Sequence, residues 1–269
     1  MRRAVRLLVL PFIIAFSVMT AGMASASPQR PDSIAALGDS MTRATDACCW
    51  YGDHPANSWS TGSAGWDGVS SHYERIRGGI NPRVVAYNDS RAGAKAVDLK
   101  GQATLAVSQK AEYVTVLMGA NDVCTSSPAT MTSETDFRAQ IRSGLQTLAT
   151  GLPRSRIFVS SIPNIYQLWS LLHTNSTAQF VWPVADICQS MLSTGNSEQT
   201  RLDVQAHEIK LNAILEQECA SVVNCRFDNH AVYNYKFTAG DVSSLDYFHP
   251  SLRGQANLAR VTWSSSWWG

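Results

Sequence analysis

Net charge is almost absent from this chain: 22 Lys and Arg stand against 21 Asp and Glu, a formal +1 with neutral histidines. No basic run and no interleaving of basic with aromatic residues occurs, so nucleic acid is not expected as a partner. Long apolar runs are scarce too. One extends from Leu7 to about Met19 and no second follows, so the rest of the chain is expected to be soluble, with no stable membrane anchor. There is no C-x-x-C pair for zinc or redox chemistry, and His207-Glu208 lacks the second histidine of an H-E-x-x-H metal site. Neither a metal nor a cofactor is therefore expected. Internal repeats, low-complexity tracts and the G-x-S-x-G elbow of the α/β-hydrolases are missing as well.

What is present begins with a leader. Residues 1–26, MRRAVRLLVLPFIIAFSVMTAGMASA, have an arginine-rich start, an apolar middle and small residues Ala24-Ser25-Ala26 suited to cleavage. This pattern predicts a secretory signal peptide and an extracellular protein. Residues 27–269 then form one domain, long enough for a substantial core. Loss of Arg2, Arg3 and Arg6 turns the slight positive charge slightly negative, which points to no particular partner.

The six cysteines all lie beyond the leader, and an even number in an oxidising compartment permits three disulfides. Cys219 and Cys225 flank a short segment and are expected to close a small loop. Cys124 with Cys188 is the second expected pair. Adjacent Cys48 and Cys49 are left as the third, a strained vicinal bridge.

Short apolar runs recur at Ser33–Leu37, Arg83–Tyr87, Tyr113–Leu117, Arg156–Ser160 and, more weakly, Asn224–Phe227. Helical patterns separate them. Phe137, Ile141, Leu145 and Leu148 mark one amphipathic face, and Trp66–Arg77, Val97–Lys110 and Glu198–Cys219 are further candidates. Alternation of this kind predicts βαβ units and a three-layer α/β/α domain around a parallel sheet of about five strands. Ala44–Gly65 reads as a long structured loop, and Asn164–Gly195 as an insertion carrying Tyr166, Trp169, Phe180 and Trp182. Long loops in a compact domain are often functional.

Ligands of an open parallel sheet gather at the carboxyl ends of its strands. The first predicted strand is followed by Gly38-Asp39-Ser40, the second by Asn88-Asp89-Ser90-Arg91-Ala92-Gly93, and the third by Gly119-Ala120-Asn121-Asp122. Near the C-terminus stands Asp246-Tyr247-Phe248-His249-Pro250-Ser251, ahead of a helix-like stretch. These four blocks, GDSMT, the glycine of SRAGAK, GAND and DYFHPS, resemble in order and spacing those of the SGNH, or GDSL, serine hydrolases. The resemblance implies a flavodoxin-like SGNH hydrolase fold. It also implies Ser40 as nucleophile, Ser40, Gly93 and Asn121 as oxyanion-hole donors, and Asp246 with His249 as the rest of a triad.

The chemistry of these residue types agrees. A serine hydroxyl needs a base within hydrogen-bond reach, and the neutral imidazole of His249 is suited to that task. A carboxylate three residues earlier, Asp246, can hold the other ring nitrogen and stabilise the imidazolium. The backbone N–H groups of Ser40 and Gly93 and the Asn121 amide can receive the negative charge that develops on a carbonyl oxygen. His54, His72, His173 and His207 have no comparable surroundings and read as structural or surface residues.

The expected activity is metal-independent hydrolysis of acyl esters of lipids or acylated glycans, through an acyl-enzyme, by a monomer. A lipase or esterase is favoured over a carbohydrate deacetylase, with aromatics around Trp50, Trp59 and Trp66 and in the insertion available for an acyl groove or for sugar stacking. Acyl transfer on the same triad and a non-catalytic module that binds glycans or lipids remain as alternatives.

Overall fold

The computed structural model describes residue 1 and residues 30–269; apart from Met1, the expected leader lies outside the described residues. Five strands form one sheet: β1 (Ser33–Gly38), β2 (Val85–Asn88), β3 (Tyr113–Leu117), β4 (Arg156–Ser160) and β5 (Cys225–Phe227). Their order is β2-β1-β3-β4-β5 and every neighbouring pair is parallel. Parallel strands covered on both faces read as continuous apolar runs, and β3, YVTVL, is buried along its whole length. The edge strand β2 is shorter and more exposed.

Side chains alternate across the sheet, as the two-residue repeat of a strand requires. Ile34, Tyr113 and Phe158 face one layer, where Ile76 and the partly buried Tyr73, Trp263, Trp267 and Trp268 pack on them. Ala35, Val114, Ile157 and Val159 belong to the larger core. The first layer comes from α1 (His72–Gly79) and α10 (Leu252–Ser265), the second from α2 (Leu99–Ser108), α4 (Glu134–Gly151) and α8 (Glu198–Ala220). Helix α4 buries the predicted Phe137, Ile141, Leu145 and Leu148, each worth roughly 1.5–3 kcal/mol when removed from water. Its N-terminus is capped by Ser133, whose side chain accepts from Asp136 N–H at 3.1 Å.

Two expectations change. The helix foreseen over Trp66–Arg77 begins only at His72, because Ser71 accepts from Glu74 N–H at 3.0 Å and caps it there, while Gly68 at φ +76 keeps the preceding chain out of helical geometry. The insertion Asn164–Gly195 holds three helices: α5 (Ile165–Leu172), α6 (Ser176–Val184) and α7 (Gln189–Leu192). Each is nine residues or fewer, too short to repeat an apolar period clearly, and capping by Asn164 and Asn175 starts the first two. Four-residue turns of helix, α3 (Ala120–Val123) and α9 (Ala231–Asn234), complete the set described.

Cys124–Cys188 and Cys219–Cys225 are disulfides. The first ties the end of α3 to the start of α7, and the second ties α8 to β5. Cys48 and Cys49, expected as the third pair, are free thiols instead. Neighbouring Cα atoms on a trans peptide are about 3.8 Å apart, below the roughly 4.4–6.8 Å at which disulfides form readily. Cys48 Sγ lies 3.9 Å from Asn57 Oδ1, and Cys49 is exposed at φ +68.

Candidate active site

The four polar blocks fall where the topology sends them, at or beside the carboxyl ends of the strands. Strand β1 runs into Gly38, whose φ is +152 and where a Cβ would stand 2.4 Å from the Leu117 carbonyl oxygen. No other residue fits so close an approach. Gln102 of α2 holds this strand end from both sides: Gly38 N–H donates to its Oε1 at 2.7 Å, and its Nε2 donates to Gly38 O at 2.9 Å. The chain then turns over Asp39, which accepts Met41 N–H at Oδ1 (2.9 Å) and the N–H groups of Thr42 and Arg43 at its carbonyl (both 3.1 Å). Ser40 sits in that turn. From α10, Gln255 braces it, donating to Met41 O at 2.8 Å while accepting Trp59 N–H at 2.9 Å.

Asp39 is fully buried and its Oδ2 has no partner among the described residues. Burial pushes its carboxyl up to about 7, with Asp122 adding to the rise and the Met41 N–H and His249 opposing it.

Gly93, at φ +75, sits in the loop after β2. Its N–H and that of Ser40 have no hydrogen-bond acceptor among the described residues. Asn121, in α3 after β3, donates one amide proton to Ala94 O at 3.0 Å, which fixes the side chain and leaves the other proton available. The buried Asp122 binds the two loops together, accepting Ala96 N–H at 2.9 Å and the Thr132 hydroxyl at 2.7 Å. Burial raises its carboxyl above the usual range, against those same donors.

The Asp246–His249 segment forms its own turn. Asp246 Oδ1 accepts the N–H groups of Phe248 (2.9 Å) and His249 (3.1 Å), and Oδ2 receives His249 Nδ1–H. The buried position alone would raise the Asp246 carboxyl; the hydrogen bond and charge of His249, with the two N–H groups, outweigh this and hold it below the usual range. The Nε2 of His249 has no protein partner among the described residues. Helix α10 is capped by Ser251, so Asp246 is free of that duty. Trp182 of α6 donates to Tyr247 O at 3.0 Å and Tyr51 donates to Leu245 O at 3.0 Å, pinning the turn from two sides.

An apolar cavity is lined by residues next in sequence to several of these. Met41, Ala120, Phe248 and Pro250, each next in sequence to Ser40, Asn121 or His249, form one wall, and Leu168 and Leu171 of α5 form another. Of the aromatics expected nearby, Trp59 and Trp182 are core residues, while Trp50, Trp66 and Phe180 are exposed. Asp46, within the Ala44–Gly65 loop, also stands at this site, with Asp246 and His249.

A profile of the family described as GDSL-like Lipase/Acylhydrolase matches residues 34–261, taking in all four blocks. The chain belongs to this family. A comparison with curated proteins finds no match. Among solved structures, this GDSL-family chain is similar to an extracellular lipase from Streptomyces rimosus (17% identity, TM-score 0.53, 87% of this chain and 99% of the other). It is also similar to phospholipase A1 from Streptomyces albidoflavus (16%, 0.51, 88% and 100%), and to a family 3 carbohydrate esterase from Clostridium thermocellum (12%, 0.50, 87% and 94%). At these identities the likeness concerns the shared α/β/α fold. Ester hydrolysis in general follows from the family; the substrate does not.

Proposed function

We propose that the protein is a secreted carboxylic-ester hydrolase of the lipase or esterase type, its mature chain running from residue 27 and acting as a monomer. The observation that carries the reading is the combination of a serine in a braced turn, three available N–H donors and a carboxylate-held imidazole, with chain neighbours of the serine, the asparagine and the imidazole lining an apolar cavity. Ser40 Oγ attacks the acyl carbonyl and its proton passes to His249 Nε2. The oxyanion that forms is held by the N–H groups of Ser40 and Gly93 and by the Asn121 amide. As the intermediate collapses, the bond to the alcohol breaks and His249 protonates the departing oxygen; water then repeats the sequence on the acyl-enzyme. Asp246 keeps the imidazole in the tautomer whose Nε2 accepts.

The cavity favours an apolar acyl chain over acetyl as the group transferred, since its lining includes Met41, Leu168, Leu171, Phe237 and Phe248. Two disulfides suit an extracellular protein, and no helix among the described residues is long and apolar enough to cross a membrane. The test is a series of p-nitrophenyl esters from acetate to long chains, run on wild-type and Ser40→Ala proteins. The substitution should lower kcat by about 10⁴-fold or more, and the wild-type optimum should lie beyond acetate. Full activity in Ser40→Ala would remove the serine mechanism. An enzyme confined to acetyl groups would instead assign the exposed Trp50 and Trp66 to sugar stacking and make it a deacetylase.

A further inference from the structure

Asp46 belongs to none of the four blocks, yet its carboxyl lies beside that of Asp246. One ligand atom from each of Asp46, Asp246 and His249 lies within 4.8 Å of the others. Both carboxylic residues are buried. Two buried carboxyls this near repel one another as anions, and the repulsion is relieved when one keeps its proton and donates it to the other, because an anion has only lone pairs to offer. The partners already present decide where that proton resides. Asp246 accepts two backbone N–H groups and the imidazole, whereas Asp46 accepts one, Gly52 N–H at Oδ1 (2.6 Å).

Resting on the reading of Asp246 and His249 given above, we infer that Asp46 is a protonated carboxylic acid that donates to Asp246, a positioning residue extending the Asp–His pair by one member. The arrangement spreads part of the negative charge of Asp246 and fixes the plane of its carboxylate, and with it the ring of His249. Burial raises the Asp46 carboxyl, and Asp246 adds to the rise by charge and hydrogen bond, against the Gly52 N–H and His249. Asp246 is shifted the opposite way. The loop is built to hold Asp46 there. Its φ is +54, its N–H donates to Gly52 O at 2.8 Å, and its carbonyl accepts the Ser243 hydroxyl from the strand of chain leading to Asp246. The titratable groups that face it are Asp246 and His249; Arg43 and Asp53 of the same loop pair with each other at 3.0 Å.

Two substitutions separate this role from a structural one. Asp46→Asn keeps an acceptor for Gly52 N–H, tolerates the left-handed backbone and supplies an amide proton in place of the carboxyl proton. Asp46→Gly keeps the backbone and removes the donor. Difference infrared spectra of wild type minus Asp46→Asn at neutral pH should show one protonated-carboxyl C=O band, other buried acids cancelling. On p-nitrophenyl esters, Asp46→Asn should keep kcat within about threefold. Asp46→Gly should lose roughly ten- to a hundredfold in kcat with KM nearly unchanged, the usual cost of a hydrogen bond to a charged group. Its acid limb of kcat/KM should move to higher pH, because an unsupported Asp246 carboxylate holds the imidazolium more strongly.

Absence of the band, or equal loss in Asp46→Asn and Asp46→Gly, overturns the proposal. So does loss of activity on adding EDTA, which would put a cation between the carboxylates. Ser40→Ala serves as the control: if it stays active the serine reading falls, while the infrared band still reports the shared proton.

Discussion

Two histidines of this molecule face opposite fates. His72 is fully buried in the layer of α1 and α10, with Trp59 and Trp263 edge-on and Tyr113 stacked against it. Both ring nitrogens are engaged, Nδ1 with the Tyr113 hydroxyl and Nε2 with Thr262, each at 2.8 Å. Thr262 donates its own proton to Leu258 O at 2.6 Å, so it accepts from His72 Nε2–H and Tyr113 donates to Nδ1. Burial, with a smaller contribution from Arg75, pushes this imidazole down to about 3. His249 has one nitrogen bound to Asp246 and the other without a protein partner among the described residues. An imidazole serves as a base only where a proton can arrive and a counter-charge awaits it, and His72 has neither.

The largest effect that would break this contrast is on turnover. His249→Ala should reduce kcat on p-nitrophenyl esters by about 10⁴-fold, whereas His72→Phe should leave it within about threefold. Equal losses would mean that the two sites are coupled. Next, Asn121→Ala should cost about 10²–10³ in kcat with little change in KM, as expected for a donor that acts on the developing oxyanion. A change confined to KM would assign Asn121 to substrate binding.

The smallest effect is on stability, and it pairs His72 with a buried group of the candidate active site. Between pH 6.5 and about 3 the unfolded chain protonates this histidine and the folded one does not, so its contribution is complete above 6.5 and is lost as pH falls. Asp39 has the opposite sign. Its folded carboxyl keeps a proton up to about 7 that the unfolded chain releases near 3.8, so stability falls as pH rises through that window. Urea unfolding from pH 4 to 8 should show His72→Phe flattening the loss as pH falls below 6.5 and Asp39→Asn removing the loss as pH rises towards about 7. Each should amount to a few kcal/mol at most, roughly 1.4 per pH unit of displacement. Identical profiles for both variants would show that neither group carries the linkage.

The legible and illegible parts of the site differ by the distance over which their causes act. The candidates Ser40, Gly93, Asn121, Asp246 and His249 stand out in the sequence because each belongs to a short block with a strand or turn beside it. Asp46, Gln102 and Gln255 do not. Gln102 serves Gly38 from 64 residues away and Gln255 serves Met41 from 214, and nothing local in either helix signals the task. The cysteines divide in the same manner. Cys219–Cys225 spans only six positions and was foreseeable, whereas the free state of Cys48 and Cys49 depends on how one turn is folded. The helices of Asn164–Gly195 are not legible because four to nine residues seldom repeat an apolar period, and the first of them, α5, supplies one wall of the cavity.

By itself the sequence determined the parallel sheet and its covering helices, because apolar runs and three-to-four-residue repeats act locally and leave few ways to bury both faces. It also determined which residue types stand at the strand ends. Only the tertiary structure decided that a partly buried imidazole meets a buried carboxylate, that Asp46 lies beside that carboxylate, and that α5 and Met41 line one apolar cavity. Hydrogen-bond directions and burial depend on residues far apart in the chain, and those acquire a position only when the layers pack.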